Sequence, residues 1–544
     1  MAELLAGHAP HLALAGLVSG LVAWPHHAAD PRAGFPPAIG RLMPGATLTY
    51  LAVALVLAVL VALGVLLRLV FLRQRGARAR DQQRAARIAE GLTPPRALAR
   101  ALPPGPGRLT IGRTVPGARL LAVPHELSLG AIMPPRTGKS SAAVGHVLDA
   151  PGPVLATSSK PELLELTAAL REQRTGQAAL CFDPLGVTRW PNLVRFDPVT
   201  GCEDPLVATR RAEALMAGAQ VEQVTNASFW RNAATMLLRC ALHAAAIEGQ
   251  GIAQVRAMVT DPRGQDLADL LAVSPSASTW LAEAELLSRQ AGETLESVGL
   301  TAALALQCVA LPQVAEACSP RPQDRFDPTA WLEAGGTLHV VAPDAEAASV
   351  APLTAAFVDE IVVAARRLAT STPGGRLDPP LRLVLDELAN IAPLPKIGEY
   401  LADGGGRGIQ LAWFAQSRHQ LSRRFGQDTA RIVLDATSIL LVGGGLADTE
   451  LLRDLSALLG QVQVRDHALG TTRDGATSWS EQLRDRPVLD PAELFALPRF
   501  HALMLAAGAG TSVVKLQPWW ERPDAQSIRA ARTEVHARTE QVTA

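Results

Sequence analysis

The sequence predicts an α/β fold with a mostly parallel sheet, an inserted all-α domain and transmembrane helices at its amino end. Three observations predict it. A charge-free apolar run stands near the start, short apolar runs alternate with helical stretches after residue 108, and the interval 205–325 reads as helix throughout. Strands that alternate with helices build parallel sheets, and strands apolar along their whole length are those covered on both faces.

The apolar run is Ala46–Leu67, "ATLTYLAVALVLAVLVALGVLL". A helix of that length crosses a hydrocarbon core of roughly 30 Å. Arg68, Arg73, Arg75, Arg78, Arg80, Arg84 and Arg87 follow it. Such a basic flank stays in the cytoplasm, and so does the bulk of the chain beyond it. A weaker segment, Leu4–Trp24, carries His8, Pro10 and His11 and is read as a first crossing, which makes residues 1–72 a multi-pass anchor in the plasma or inner membrane. Residues 73–107, Arg-rich and ending in "LPPGPG", read as a basic linker.

Eight apolar runs are candidate strands: 127–133, 153–157, 178–182, 337–342, 382–386, 409–415, 438–443 and 501–508. They place a nucleotide-binding domain over 108–204 and 326–520, split by the all-α insertion at 205–325, with a polar tail at 521–544. Lys+Arg and Asp+Glu balance at 51 each, so no overall positive field draws in nucleic acid, and any such contact must be local. The five cysteines have neither Cys-x-x-Cys nor metal-ligand spacing, which suits buried thiols in a reducing compartment.

The stretch "IMPPRTGKSS", 132–141, matches a phosphate-binding loop except at its leading glycine, where Met133 stands. Met133 is expected to take a conformation that glycine enters more cheaply. Pro134, Pro135, Arg136, Thr137, Gly138, Lys139, Ser140 and Ser141 would cradle the phosphates of ATP. In this pattern the lysine reaches the β- and γ-phosphates, and the hydroxyl of Ser140 holds Mg²⁺. A second run, "RLVLDELANIAPL" (382–394), ends a strand in two acids at the sheet's carboxyl edge. Asp386 completes the metal's ligands and Glu387 polarises the attacking water. A third, "GGGRGIQLAWFAQS" (404–417), ends in Gln416, whose amide can sense the γ-phosphate; Arg407, in the turn before that strand, is a candidate arginine finger onto an adjacent subunit. Arg210, Arg211 and Arg231 read as solvated charges.

From about 105 to 520 the chain resembles the type IV coupling proteins of conjugation and type IV secretion, the TraG/TraD class, within the RecA-like FtsK/HerA translocases. The resemblance rests on the phosphate loop, "VLATSSKPELLELT" (154–167), "LCFDPLG" (180–186), "FWRNAATMLL" (229–238), "VLDELANIAPLPKIGEYLADGGGRGIQLAWFAQSRHQL" (384–421), "LRDLSALLG" (452–460) and "RPVLDPAELFALPRFHALMLAAG" (486–508). Two positions depart from the family's pattern: Met133 replaces a small residue, and Ser159 precedes Lys160 where an acid is common. The resemblance implies a RecA-like nucleotide-binding domain and a hexameric, membrane-anchored ATPase. Its partners would be single-stranded DNA with its relaxase and the proteins of a secretion channel. Alternatives with the same motor are an FtsK-like double-stranded DNA translocase and a protein-secretion ATPase; from another class, a non-hydrolysing membrane scaffold.

Overall fold

In a computed structural model, residues 45–220, 227–262, 271, 278–289, 292–471 and 477–541 are described, and the candidate first crossing at 4–24 lies outside them. Helix α1 (Gly45–Gly91) contains the apolar run, and its segment Ala52–Phe71 has a mean hydropathy of 2.9 with none of it buried in the protein. The linker expected over 73–107 is corrected. Asp81–Glu90 holds strong helix formers and no proline before Pro94, so α1 runs on to Gly91, and a short helix Pro95–Ala101 follows.

Each of the eight expected runs forms a strand. Five more were missed: β1 (Leu109–Val115), β2 (Leu120–Val123), β10 (Gln461–Thr471), β11 (Thr477–Pro487) and β13 (Gly510–Leu516). The eight are β3 (Leu129–Ile132), β4 (Val154–Ser158), β5 (Ala179–Phe182), β6 (Thr337–Val341), β7 (Leu381–Leu385), β8 (Ile409–Ala415), β9 (Ile439–Gly443) and β12 (His501–Ala506). One sheet runs in the order β2-β1-β13-β12-β9-β3-β8-β7-β4-β6-β5. Its block from β9 to β5 is parallel throughout, and β12, β13, β1 and β2 add an antiparallel flank. Strands β10 and β11 pair as a separate ribbon.

Among the described residues, 205–325 holds only helices, led by α4 (Pro205–Gly218) and α5 (Ala227–Ile247). Arg87–Ala544 forms one compact unit, and the helices share its core. A continuous apolar cluster runs from Ile132 and Leu155 in the sheet through Phe357 to Leu238 and Val259. Phe357 lies on the long helix Ala347–Ser371, which is apolar enough to span a membrane and instead lies mostly buried in this core. Arg210 and Arg211 are not solvated: Arg211 is buried, and both donate to Glu360 of the long helix, at 2.5 and 2.7 Å.

The polar tail expected over 521–544 is a helix, Ala525–Gln541, that buries Ala525, Ile528, Ala531 and Val535. These fall at helical spacing between charged residues, a stripe that the overall polarity hides. Arg532 and Arg538 of this helix pair with Glu165 and Glu172 of α3 (Glu162–Thr175).

Between β3 and β4 lies α2 (Lys139–Leu148), and arginines gather at its carboxyl end. Arg382 donates to His146 O at 3.0 Å, Arg174 to Leu148 O at 2.9 Å, and Arg171 to Ala150 O at 2.7 Å and Gly152 O at 2.8 Å. Arg522 grips Asp149 with two bonds of 2.8 and 2.9 Å. The unsatisfied carbonyls and negative dipole end of a helix favour cations there, so α2 is anchored from behind. His146 is sealed among these groups, stacked on Phe414, with Nε2 2.9 Å from Thr110 O. Burial and nearby Arg382 push its pKa down to about 4.

The unfolded chain therefore takes up a proton near pH 6.5 that the folded chain refuses until about pH 4. Stability is whole above pH 6.5 and falls by roughly 3 kcal/mol as the pH drops to 4. Melting temperatures of wild type and His146→Gln followed from pH 7.5 to 4.5 should show wild type losing ground steadily below 6.5.

Candidate nucleotide site

Strand order decides what can meet at the sheet's edge. Strands β3, β8 and β7 are adjacent and parallel, so the segments leaving their carboxyl ends emerge side by side. From β3 comes the loop to α2 with Lys139 and Ser140, from β7 come Asp386 and Glu387, and from β8 comes Gln416. All five line one cavity together with Pro135, Arg136, Gly138 and Ser141.

The loop does not need glycine at its first position. Met133 is fully buried, its N–H donates to Ala415 O at 3.0 Å, and it is not among the residues with left-handed backbone. Met133 instead fills space beside Gly443. The left-handed turn falls at Arg136 (φ 65°) and Gly138 (φ 117°). Gly138 has no substitute, since a Cβ there would lie 2.4 Å from Phe500 Cδ1. Phe500 props the loop, and its N–H donates to Thr137 O at 3.1 Å. Pro134 and Thr137 shape the loop from within, Thr137 Oγ1 donating to Pro134 O at 2.6 Å.

Lys139 is buried, and its ammonium donates to Met133 O at 2.6 Å and Pro134 O at 3.2 Å. Desolvation holds its pKa below the usual lysine range, against the pull of Glu387 and Asp386. Ser140 Oγ donates to Asp386 Oδ2 at 3.1 Å, and Thr157 Oγ1 to Asp386 O at 2.8 Å. Asp386 Oδ1 is buried without a partner. Burial and the neighbouring Glu387 raise the Asp386 pKa to about 6. A serine hydroxyl beside an unpaired carboxylate oxygen suits a hard divalent cation such as Mg²⁺, which takes oxygen ligands.

Glu387 takes left-handed backbone, φ 55°, unusual for a side chain of its size. Gln416 Nε2 donates to its Oε1 at 2.9 Å and Gln420 Nε2 to its Oε2 at 3.1 Å. The helix α2 begins beneath the cavity, and the first-turn N–H groups of a helix have no partner within it. They offer an anion site above which the carboxylates stand.

Lys160, at the end of β4, and Arg499 and Trp519, from the antiparallel flank, also line the cavity. Lys160 had a signal in its place after a strand at the carboxyl edge. Arg499 and Trp519 had none, because their closeness depends on β12 and β13 folding back along β9. Arg407 is not brought to this cavity. It precedes β8, at the opposite edge of the sheet and roughly 20 Å of strand from Gln416, and its Nε donates to Asp403 at 2.9 Å.

Residues 380–499 match the family described as the TraM recognition site of TraD and TraG. That segment holds β7, β8 and β9, with Asp386, Glu387 and Gln416. In fold the chain is similar to the bacterial conjugative coupling protein TrwBdeltaN70 in its unbound form, at 20% identity and a TM-score of 0.59, over 77% of this chain and 90% of that one. It is also similar to the plasmid coupling protein TrwB in complex with ADP and Mg²⁺, at 19% identity and a TM-score of 0.57, over 78% and 93%. The complex of TrwB with the non-hydrolysable ATP analogue ADPNP gives 20% identity and a TM-score of 0.57 over the same shares. No curated protein matches the chain in sequence. The resemblance to the TraG/TraD class holds, in the family segment and in the fold.

An ionised Asp386 is a cost to the ligand-free fold. A carboxylate raised to about 6 contributes stability that is whole below its unfolded pKa of 3.8 and lost as the pH rises through 6. Asp386→Asn should raise the melting temperature of the nucleotide-free protein at pH 8, a gain of order 1–3 kcal/mol, and the gain should shrink toward pH 4. The same variant should lose the extra stabilisation that Mg²⁺ adds to ATP.

Proposed function

We propose that the chain is a membrane-anchored ATPase that couples a relaxase–DNA substrate to a type IV secretion or conjugation channel and drives its transfer. The observation that carries the proposal is the convergence of Lys139, Ser140, Asp386, Glu387 and Gln416 on one cavity at the sheet's carboxyl edge. The helix segment Ala52–Phe71 supports the anchor, with Leu4–Trp24 proposed as its second span, and the bulk of the chain in the cytoplasm. The similarity to TrwB, solved with ADP and Mg²⁺ and with an ATP analogue, supports ATP and Mg²⁺ as ligands here.

Hydrolysis in this reading has no covalent intermediate. Water attacks the γ-phosphorus, the bond to the bridging oxygen of ADP breaks, and the products are ADP and phosphate. Lys139 exchanges its two carbonyl partners for phosphate oxygens and offsets the charge that builds on them. Ser140 and Asp386 would hold Mg²⁺, which supplies further charge neutralisation on the phosphates. Glu387 orients the water and accepts its hydrogen bond, and Gln416 reports the γ-phosphate to β8. Arg407, outside its own chain's cavity, is assigned to the nucleotide of a neighbouring subunit in a homo-hexamer.

Phosphoryl transfer depends on positioning, so removing the group that places water is severe. Glu387→Gln should lower kcat at least about 100-fold while ATP binding, measured by a fluorescent analogue, persists. Turnover of wild type should rise with single-stranded DNA. A wild type that binds ATP and hydrolyses none with DNA present would return the chain to the scaffold reading.

A further inference from the structure

We infer that Gln420 is a positioning residue for hydrolysis: its amide bridges the end of β8 and the Glu387 carboxylate, tying that carboxylate to the helix Arg418–Phe425. The inference rests on the ATPase reading above. The orientation of the amide follows from its partners. Gln420 Oε1 accepts the Gln416 backbone N–H at 2.8 Å, which leaves Nε2 to face Glu387 Oε2 at 3.1 Å. Turned over, the amide would set oxygen against carboxylate and NH₂ against a donor.

With Gln416 Nε2 on the other oxygen, both Glu387 oxygens are engaged and the strained residue is held in one place. Gln416 lines both the nucleotide cavity and a neighbouring one, whereas Gln420 lines the neighbouring one alone, with Asn390, His419 and Arg423. Gln420 therefore touches the water-placing group without being placed to touch nucleotide.

The helix that carries Gln420 is held largely by polar contacts, Arg418 bonding Asp448 twice at 3.0 Å and Glu450 at 2.8 Å. Leu421 is its one buried side chain, and Ser417 caps its start by accepting the Gln420 N–H at 3.2 Å. Arg424, near its end, donates to Ala389 O at 2.8 Å, just past Glu387, and to Gly218 O at 3.0 Å, the last residue of α4. A chain of contacts thus runs from the end of α4 through Arg424, the helix and Gln420 to Glu387.

The test uses the full-length protein in detergent or nanodiscs. Gln420→Met keeps the bulk and cannot donate; Gln420→Glu keeps the shape and sets a second carboxylate against Glu387. Gln420→Met should lower kcat about tenfold with the KM for ATP unchanged, and Gln420→Glu should lower it further. Full activity in Gln420→Met, or equal damage to KM, overturns the inference. Melting temperatures of Gln420→Met, Glu387→Ala and the double variant should be non-additive, and additivity overturns the contact whether or not ATP is hydrolysed. A wild type that binds ATP without turnover overturns the ATPase reading and with it the catalytic sense of the tie, even where non-additive melts establish the contact.

Discussion

The site exists because three neighbouring strands run parallel and stop at one edge. In the order β3-β8-β7 the first strand leads to Lys139, the last to Asp386 and Glu387, and the residue after the middle strand, Gln416, donates to Glu387. Residues nearly 250 apart in sequence meet through this register alone (139 against 386). A one-residue slip of β7 against β8 would reverse the faces of its side chains and displace Asp386 and Glu387 with them. Arg382 resists such a slip from the other end of β7, bonding Gln410 of β8 at 2.9 Å and His146 O of α2 at 3.0 Å.

The same edge is electrostatically unfinished without a ligand. An ammonium rests on two carbonyls, a carboxylate oxygen is buried with no donor, and a glutamate sits in left-handed backbone. The buried, unpaired oxygen of Asp386 is costly in a folded protein and would be relieved by a divalent cation, while the left-handed backbone of Glu387 is strain held by its surroundings. The arginines behind α2 and the Phe500 prop before it keep the loop from relaxing into a cheaper shape. Strain that persists because its surroundings over-determine it is what the proposed nucleotide site would need in order to be preorganised.

The central strands were legible because burial on both faces leaves a chemical trace: four apolar residues in five, as in "LRLVL" and "ILLVG". The paired acids were legible for the same reason, since polar residues ending such a run must sit at an edge. The flank was not. Strand β1, "LTIGRTV", is broken by Gly112 and Arg113 and reads like a loop, and β13 carries Thr511, Ser512 and Lys515. With the flank went Arg499 and Trp519. Met133 misled for a different reason: the motif marks a glycine there, but here the turn's left-handed residues come three and five positions later. The carboxyl-terminal helix failed on composition, its four buried residues outweighed by thirteen others.

The helices expected as an insertion at 205–325 share their packing with the sheet. Phe182 of β5, Phe196 and Phe357 pack ring on ring at centroid distances from 4.4 to 6.3 Å, so the sheet, the segment leading to α4 and the long helix Ala347–Ser371 share one aromatic knot. Close-packed interiors transmit displacement rather than absorb it. Arg210 and Arg211 add to the knot by pairing α4 with Glu360 of that long helix. A displacement at the carboxyl edge is therefore carried to helices already joined to the strands that make it. In the ATPase proposed above, this packing would let a change at the phosphates leave the site through side chains rather than through solvent.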